Sequence, residues 1–124
     1  MNTFTYLIQT YPKKPWSWYW ISRNPNLMLE IIEKHPENFR GRDWEWISCN
    51  PNITMEMIEK HPEKPWNWEW ISMNPNLTME IIENNIDQIN FDRLSRNDFT
   101  FQNNQINKQE AYILLEQERT FHKL

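Results

Sequence analysis

One tryptophan-rich segment recurs three times along this chain, and no other feature constrains the fold as strongly. Pro15 to Leu27 reads PWSWYWISRNPNL, Arg42 to Ile53 reads RDWEWISCNPNI, and Pro65 to Leu77 reads PWNWEWISMNPNL. Each copy runs into a glutamate- and isoleucine-rich stretch, and the first two then reach Lys-His-Pro-Glu. A worn fourth copy spans Asn90 to Asp98. The repeated serines stand at 22, 48, 72 and 95, so the steps are 26, 24 and 23 residues. Tyr6 to Lys14 matches the second half of a unit, Glu56 to Lys64, so the array is expected to open in mid-repeat. Self-similarity at this period is the signature of stacked supersecondary units, each unable to bury its apolar face alone.

The copies, compared with one another, show what each position is for. Ser17, Asp43, Asn67 and Asn90 precede the main aromatic position, and all four are strong helix N-caps. A short helix A is therefore expected to start at Trp18, Trp44, Trp68 and Phe91. Its first and fourth positions, aromatic and then Ile or Leu, share one face and form the expected core. Asn24-Pro25, Asn50-Pro51 and Asn74-Pro75 end it, because a residue before proline is driven out of the α region. Helix B follows, capped by Thr54 and Thr78; Met28 stands in that place in the first copy, so its start has no cap. Ile31-Ile32, Met57-Ile58 and Ile81-Ile82 supply its inward face, and Pro36 and Pro62 mark its exit. Helices of one to two turns are not stable alone, so stacking must supply the burial. The expected fold is all-α: a short α (α/3₁₀) solenoid of two-helix repeats of about 24 residues with a C-terminal capping helix. It forms a single domain over 1–124: a half-repeat at 3–14, repeats at 15–39, 40–64 and 65–88, and a degenerate repeat at 89–98. A loop and the capping helix take 99–124, the helix opening at the capping-box pattern Asn107-Lys108-Gln109-Glu110.

Composition narrows the chemistry. The single glycine, Gly41, excludes Gly-rich phosphate loops, and the single cysteine, Cys49, excludes an intrachain disulfide and suits a reducing compartment. Thirteen basic against 17 acidic residues give a net charge of −4, which argues against nucleic-acid and anionic-membrane surfaces as partners. Mean hydropathy is −0.88, and no apolar run approaches the roughly 18 residues of a membrane span. The opening Met1-Asn2-Thr3-Phe4-Thr5 lacks a basic start followed by an apolar stretch, so no signal peptide is expected.

No catalytic, cofactor-binding or metal-binding residue is expected. A serine or asparagine repeated four times is not a nucleophile; Ser22, Ser48, Ser72 and Ser95, with Asn24, Asn50, Asn74 and Asn97, read as side chains that bond backbone groups at the turns. His35, His61, His122 and Cys49 match no zinc spacing, and Cys49 aligns with Arg23, Met73 and Arg96, a variable position expected to be exposed. Trp18, Trp44 and Trp68 are read as core. Trp16 and Trp66 align with Arg42 and are read as part-exposed, so Trp66→Ala is expected to cost much less stability than Trp68→Ala. Trp20, Trp46 and Trp70 align with Arg93 and stand between core and rim. Together with Phe4 and Tyr6, Trp16, Trp66, Trp20, Trp46 and Trp70 form the candidate interaction surface, since tryptophan is enriched at binding hot spots.

Pro65 to Glu83 and the linker Lys60 to Lys64 resemble the tryptophan-rich short repeats of large DNA viruses that infect amoebae, the marseillevirus and mimivirus relatives. The likeness covers roughly residues 5–98. It implies a viral origin and a place in the virion or the host cytoplasm, and it implies no catalytic residues. At a looser level the helix–Asn-Pro–helix unit is similar to the leucine-rich repeat variant, an α/3₁₀ solenoid. The expected function is a non-enzymatic structural or protein-interaction module. The alternatives are a nucleic-acid-associated virion protein, or a regulatory or enzymatic protein with its site on residues 99–124. A symmetric homodimer through the N-terminal edge or the tryptophan stripe is expected to cover the open end; the alternative is a monomer in which Phe4 and Tyr6 fold back onto Trp16.

Overall fold

The structure is a computed structural model that describes residues 2–99, 113 and 116–119. Among these residues it is all-helical, with no strand. Eight short helices follow one another: α1 (Thr3–Thr10), α2 (Trp18–Arg23), α3 (Leu29–Lys34), α4 (Gly41–Cys49), α5 (Met55–Lys60), α6 (Trp68–Ile71), α7 (Met79–Asn84) and α8 (Phe91–Leu94). A 3₁₀ turn, Pro36–Asn38, links α3 to α4. The even-numbered helices are helix A of each copy, tryptophan-bearing in α2, α4 and α6 and with Phe91 in α8, and the odd-numbered ones are helix B. Of the expected capping helix, 113 and 116–119 are helical, and the rest lies outside the described residues, as does nearly all of the expected loop.

Side-chain oxygens start these helices as the sequence expects. Ser17 accepts from the Trp20 amide, Asn67 from Trp70 and Asn90 from Arg93. Thr54 accepts from Met57 and Thr78 from Ile81, while Met28 makes no such bond. The second copy differs. Helix α4 begins at Gly41, with Arg40 as its cap, rather than at Trp44 after Asp43. The Asp43 carboxylate instead reaches back to the Arg40 amide at 3.0 Å. The longer first step, 26 residues against 24, supplies this extra helical residue run.

Helix α2 packs on α4, α4 on α6, and α1 on α3. The core is aliphatic rather than aromatic. Ile8, Leu27, Ile31, Ile32, Ile47, Ile53, Ile71 and Leu77 are fully buried. Each such side chain contributes about 1.5–3 kcal/mol of apolar burial. Leu27, Ile53 and Leu77 occupy one repeat position, just after Asn-Pro-Asn. Of the indoles read as core, Trp44 is buried; Trp18 and Trp68 are half-buried and pack against the core from one side.

Polar side chains join one copy to the next. The hydroxyls of Ser22, Ser48, Ser72 and Ser95 donate to the carbonyls of Trp18, Trp44, Trp68 and Phe91 at 2.7–2.8 Å. Ser48 and Ser72 also accept the amides of Asn67 and Asn90, the caps of the following helices. The Asn50 amide donates to the Ser22 and Asn24 carbonyls, Asn74 to Ser48, Asn50 and Ile53, and Asn97 to Ser72 and Asn74. Asn24, Asn50, Asn74 and Asn97 each accept from the amide two residues on, which shapes the turn at Pro25, Pro51 and Pro75 and, in the last copy, at Asp98. Every buried carbonyl freed where a helix ends early needs a donor, and the next copy's asparagine supplies it.

Candidate interaction face

The third position of helix A faces away from the aliphatic core. There the structure lines up Trp20, Trp46, Trp70 and Arg93, contributed by α2, α4, α6 and α8. Arg23, three residues after Trp20 and so on the same helix face, lays its guanidinium between rings. Its Cζ lies 4.1 Å from the Trp46 centroid, 4.9 Å from Trp20 and 5.6 Å from Tyr19. Trp46 and Trp70 lie 5.0 Å apart. Arg93 closes the row 4.8 Å above Trp70. A cation held over an indole is worth about 0.5–2 kcal/mol, so the row is ordered by more than burial.

The two arginines differ in charge balance. Arg93 pairs with Glu69 at 3.1 Å and also touches the Met73 sulfur. Arg23 donates to the Tyr19 hydroxyl at 3.3 Å and forms no ion pair among the described residues. Trp20 at the same end is 62% exposed. One end of the row is thus an open indole beside a cation with no carboxylate, and the other end is neutralised.

Trp16 and Trp66 do not lie on this row. Their indole N–H groups donate to the Tyr11 and His61 carbonyls at 2.8 and 2.7 Å, which ties down the linkers that leave α1 and α5. Trp66 also meets Trp44 edge-on at 5.3 Å. Its counterpart in the second copy is Phe39, which meets Trp18 edge-on at the same distance. Arg42, the partner assigned by alignment, sits within α4 instead, because that helix starts early. Both Trp16 and Trp66 are half-buried, as Trp18 and Trp68 are. Phe4 packs against the core from α1, and Tyr6 on the same helix is exposed.

Beside Trp66 and Trp68 lies a cavity of about 280 Å³, walled by Met55, Ile58, Pro62 and Ile81, with Glu59, Lys64 and Asn85 also lining it. Cys49, expected on an exposed position, is half-buried, its thiol donating to the Trp46 carbonyl at 3.5 Å, and burial pushes that thiol up to about 11. A thiol held in that state is a poor nucleophile. Among the described residues no His, Cys, Asp and Glu side chains gather in a group that could hold a metal ion. No helix among them is long and apolar enough to cross a membrane.

No protein-family model, curated protein or solved structure matches the chain.

Arg23 and Tyr19 were absent from the surface read in the sequence. The signal for Arg23 was its spacing, three residues from the exposed end indole of the row. The signal for Arg93 was its substitution for Trp at the same repeat position, since a guanidinium and an indole can each stack on a neighbouring ring.

Proposed function

We propose that this chain is a non-enzymatic interaction module, a short α-solenoid whose row of stacked Trp and Arg side chains docks another protein. The observation that supports this most directly is the open end of the row, Trp20 with Arg23. Trp and Arg are the residues most enriched at binding hot spots, and here their neighbours hold both in place before any partner arrives. Glu69, paired with Arg93 at one end of the row, and the net charge of −4 favour a protein surface over a nucleic acid. The solenoid reading is supported by bonds that repeat from copy to copy, such as Asn50 to Ser22 and Asn74 to Ser48. The resemblance of Pro65 to Glu83 to giant-virus repeats supports a place in the virion or the host cytoplasm.

The test is affinity capture from infected-cell extract with the full chain and with Trp20→Ala/Arg23→Gln, followed by binding of the purified partner. A protein that binds the full chain directly, survives nuclease treatment and is lost with the double variant supports the proposal. Capture that disappears with nuclease, or that is equal for both forms, overturns it. Light scattering over a range of concentrations addresses a second copy as partner: a mass that stays near 15.5 kDa rules out the homodimer.

A further inference from the structure

The cavity beside Trp68 has a counterpart in the first copy, where the protein fills the space with its own ring. Trp18 and His35 stand at the same repeat positions as Trp68 and Asn85. The His35 ring lies 5.3 Å from the Trp18 ring, tilted by 39°. Asn85 offers no ring, and its amide folds back onto its own helix, donating to the Ile81 carbonyl at 2.9 Å. One side of Trp68 is left facing the cavity of about 280 Å³, with Trp66 as a second wall. That volume sits at the small end of ligand pockets, which begin near roughly 300 Å³, and it excludes a nucleotide or a lipid chain.

The polar lining adds a second condition. Glu59 and Lys64 line the cavity with opposite charges, and neither forms an ion pair among the described residues. An apolar space with one carboxylate and one ammonium at its edge complements a molecule that carries a ring and both opposite charges. We propose that this cavity binds a free α-amino acid with a flat, apolar side chain. Its ring lies against Trp68 as the His35 ring lies against Trp18; Glu59 receives the α-ammonium and Lys64 the α-carboxylate. No residue of the Trp20–Arg93 row takes part, so this site stands or falls independently of the docking reading.

The experiment is a titration of the ¹⁵N-labelled full chain, followed by the indole N–H signals of Trp66 and Trp68. The probes are phenylalanine, phenylalanine amide, 3-phenylpropionate and N-acetylphenylalanine amide. Phenylalanine is expected to give saturable shifts at both indoles. Each probe lacking one charge is expected to bind about tenfold more weakly, the worth of one charge-assisted hydrogen bond. The probe lacking both charges is expected to bind more weakly still. Lys64→Gln is expected to erase the preference for phenylalanine over its amide. Asn85→His is expected to place a ring over Trp68, keep the dispersed spectrum of a folded chain and abolish the shifts. The proposal is overturned by any of three results: no saturable shift with phenylalanine, equal affinity for all four probes, or unchanged binding in folded Asn85→His.

Discussion

The edge of the molecule that carries serine and asparagine and the edge that carries the stacked rings obey different rules. On the first, Ser22, Ser48 and Ser72 are fully buried, Asn50 is 2% exposed and Asn74 0%. The residue types there do not change from copy to copy, because the serines and asparagines bond backbone atoms of their own unit, and Ser48, Ser72, Asn50, Asn74 and Asn97 bond those of a neighbour as well. On the second edge the same repeat position is Trp20, Trp46, Trp70 or Arg93, and exposure rises to 62% at Trp20. A backbone carbonyl accepts only a donor at the right distance, whereas a ring face accepts another ring or a flat cation. The first edge holds the copies in register; the second tolerates change and is open to a partner.

Breaking the first edge should have the largest effect. Asn74→Ala removes the amide that donates to the Ser48, Asn50 and Ile53 carbonyls. Asn50 keeps the Ile53 N–H and Ile53 keeps the Asn76 amide, so the buried Ser48 carbonyl loses its donor and the buried Asn76 N–H loses its acceptor. The substitution is expected to lower stability by about 3–5 kcal/mol, read as a shift of the urea midpoint. Asn24 stands at the same repeat position, but its amide makes no bond to another copy among the described residues. Asn24→Ala should cost less than half as much. Equal losses would mean that the turn itself, rather than the bond between copies, is what asparagine provides.

Trp66→Ala is next. Alignment with Arg42 had suggested a small cost, but Trp66 packs on Trp44 and holds the His61 carbonyl. A loss of about 2–4 kcal/mol is expected, close to that of Trp68→Ala, because both rings are half-buried. Denaturation midpoints of the two variants, measured side by side, check this; a Trp66→Ala midpoint near that of the unaltered chain would restore the role assigned by alignment.

Cys49 stands three residues after Trp46, at the repeat position of Arg23. Burial raises its folded-state pKa from 9.0 to about 11, and the unfolded chain ionises first as pH rises. The unfolded state then holds fewer protons, so stability from this group is complete below pH 9.0 and declines toward about 11. Urea midpoints of the chain and of Cys49→Ala, compared from pH 8 to pH 11, should converge as pH rises. Alkylation of the folded thiol at pH 8 should be slow and should accelerate in urea.

Trp20→Ala should have the smallest effect on stability, about 0.5–1 kcal/mol, because the ring is mostly in water and its contact with Arg23 is an exposed one. A larger loss would show that the ring edge, too, holds the fold together.

Much of this molecule was legible before any coordinates. Ser17, Asn67, Asn90, Thr54 and Thr78 announced the helix starts, because capping is a local bond between a side chain and an amide three residues on. The all-helical class followed from those caps and from the prolines that end each helix A. The recurrence of Ser and Asn pointed to bonds with the backbone. The second copy resisted the same logic. Asp43 resembled the other caps, but the extra residues before it let the helix begin at Gly41, and Phe39 took the place that alignment had given to Arg42.

Local signals in the sequence therefore determined where most helices start and stop, since those choices depend on atoms only a few residues apart. Tertiary structure decided everything that depends on neighbours from different copies. It set Leu27, Ile53 and Leu77, rather than the indoles, deepest in the core. It laid Arg23 between Trp20 and Trp46 with no ion pair among the described residues. It left one side of Trp68 facing a cavity where Trp18 has His35. Stacking brings together side chains about 24 residues apart, and a sequence read locally carries no distance between them.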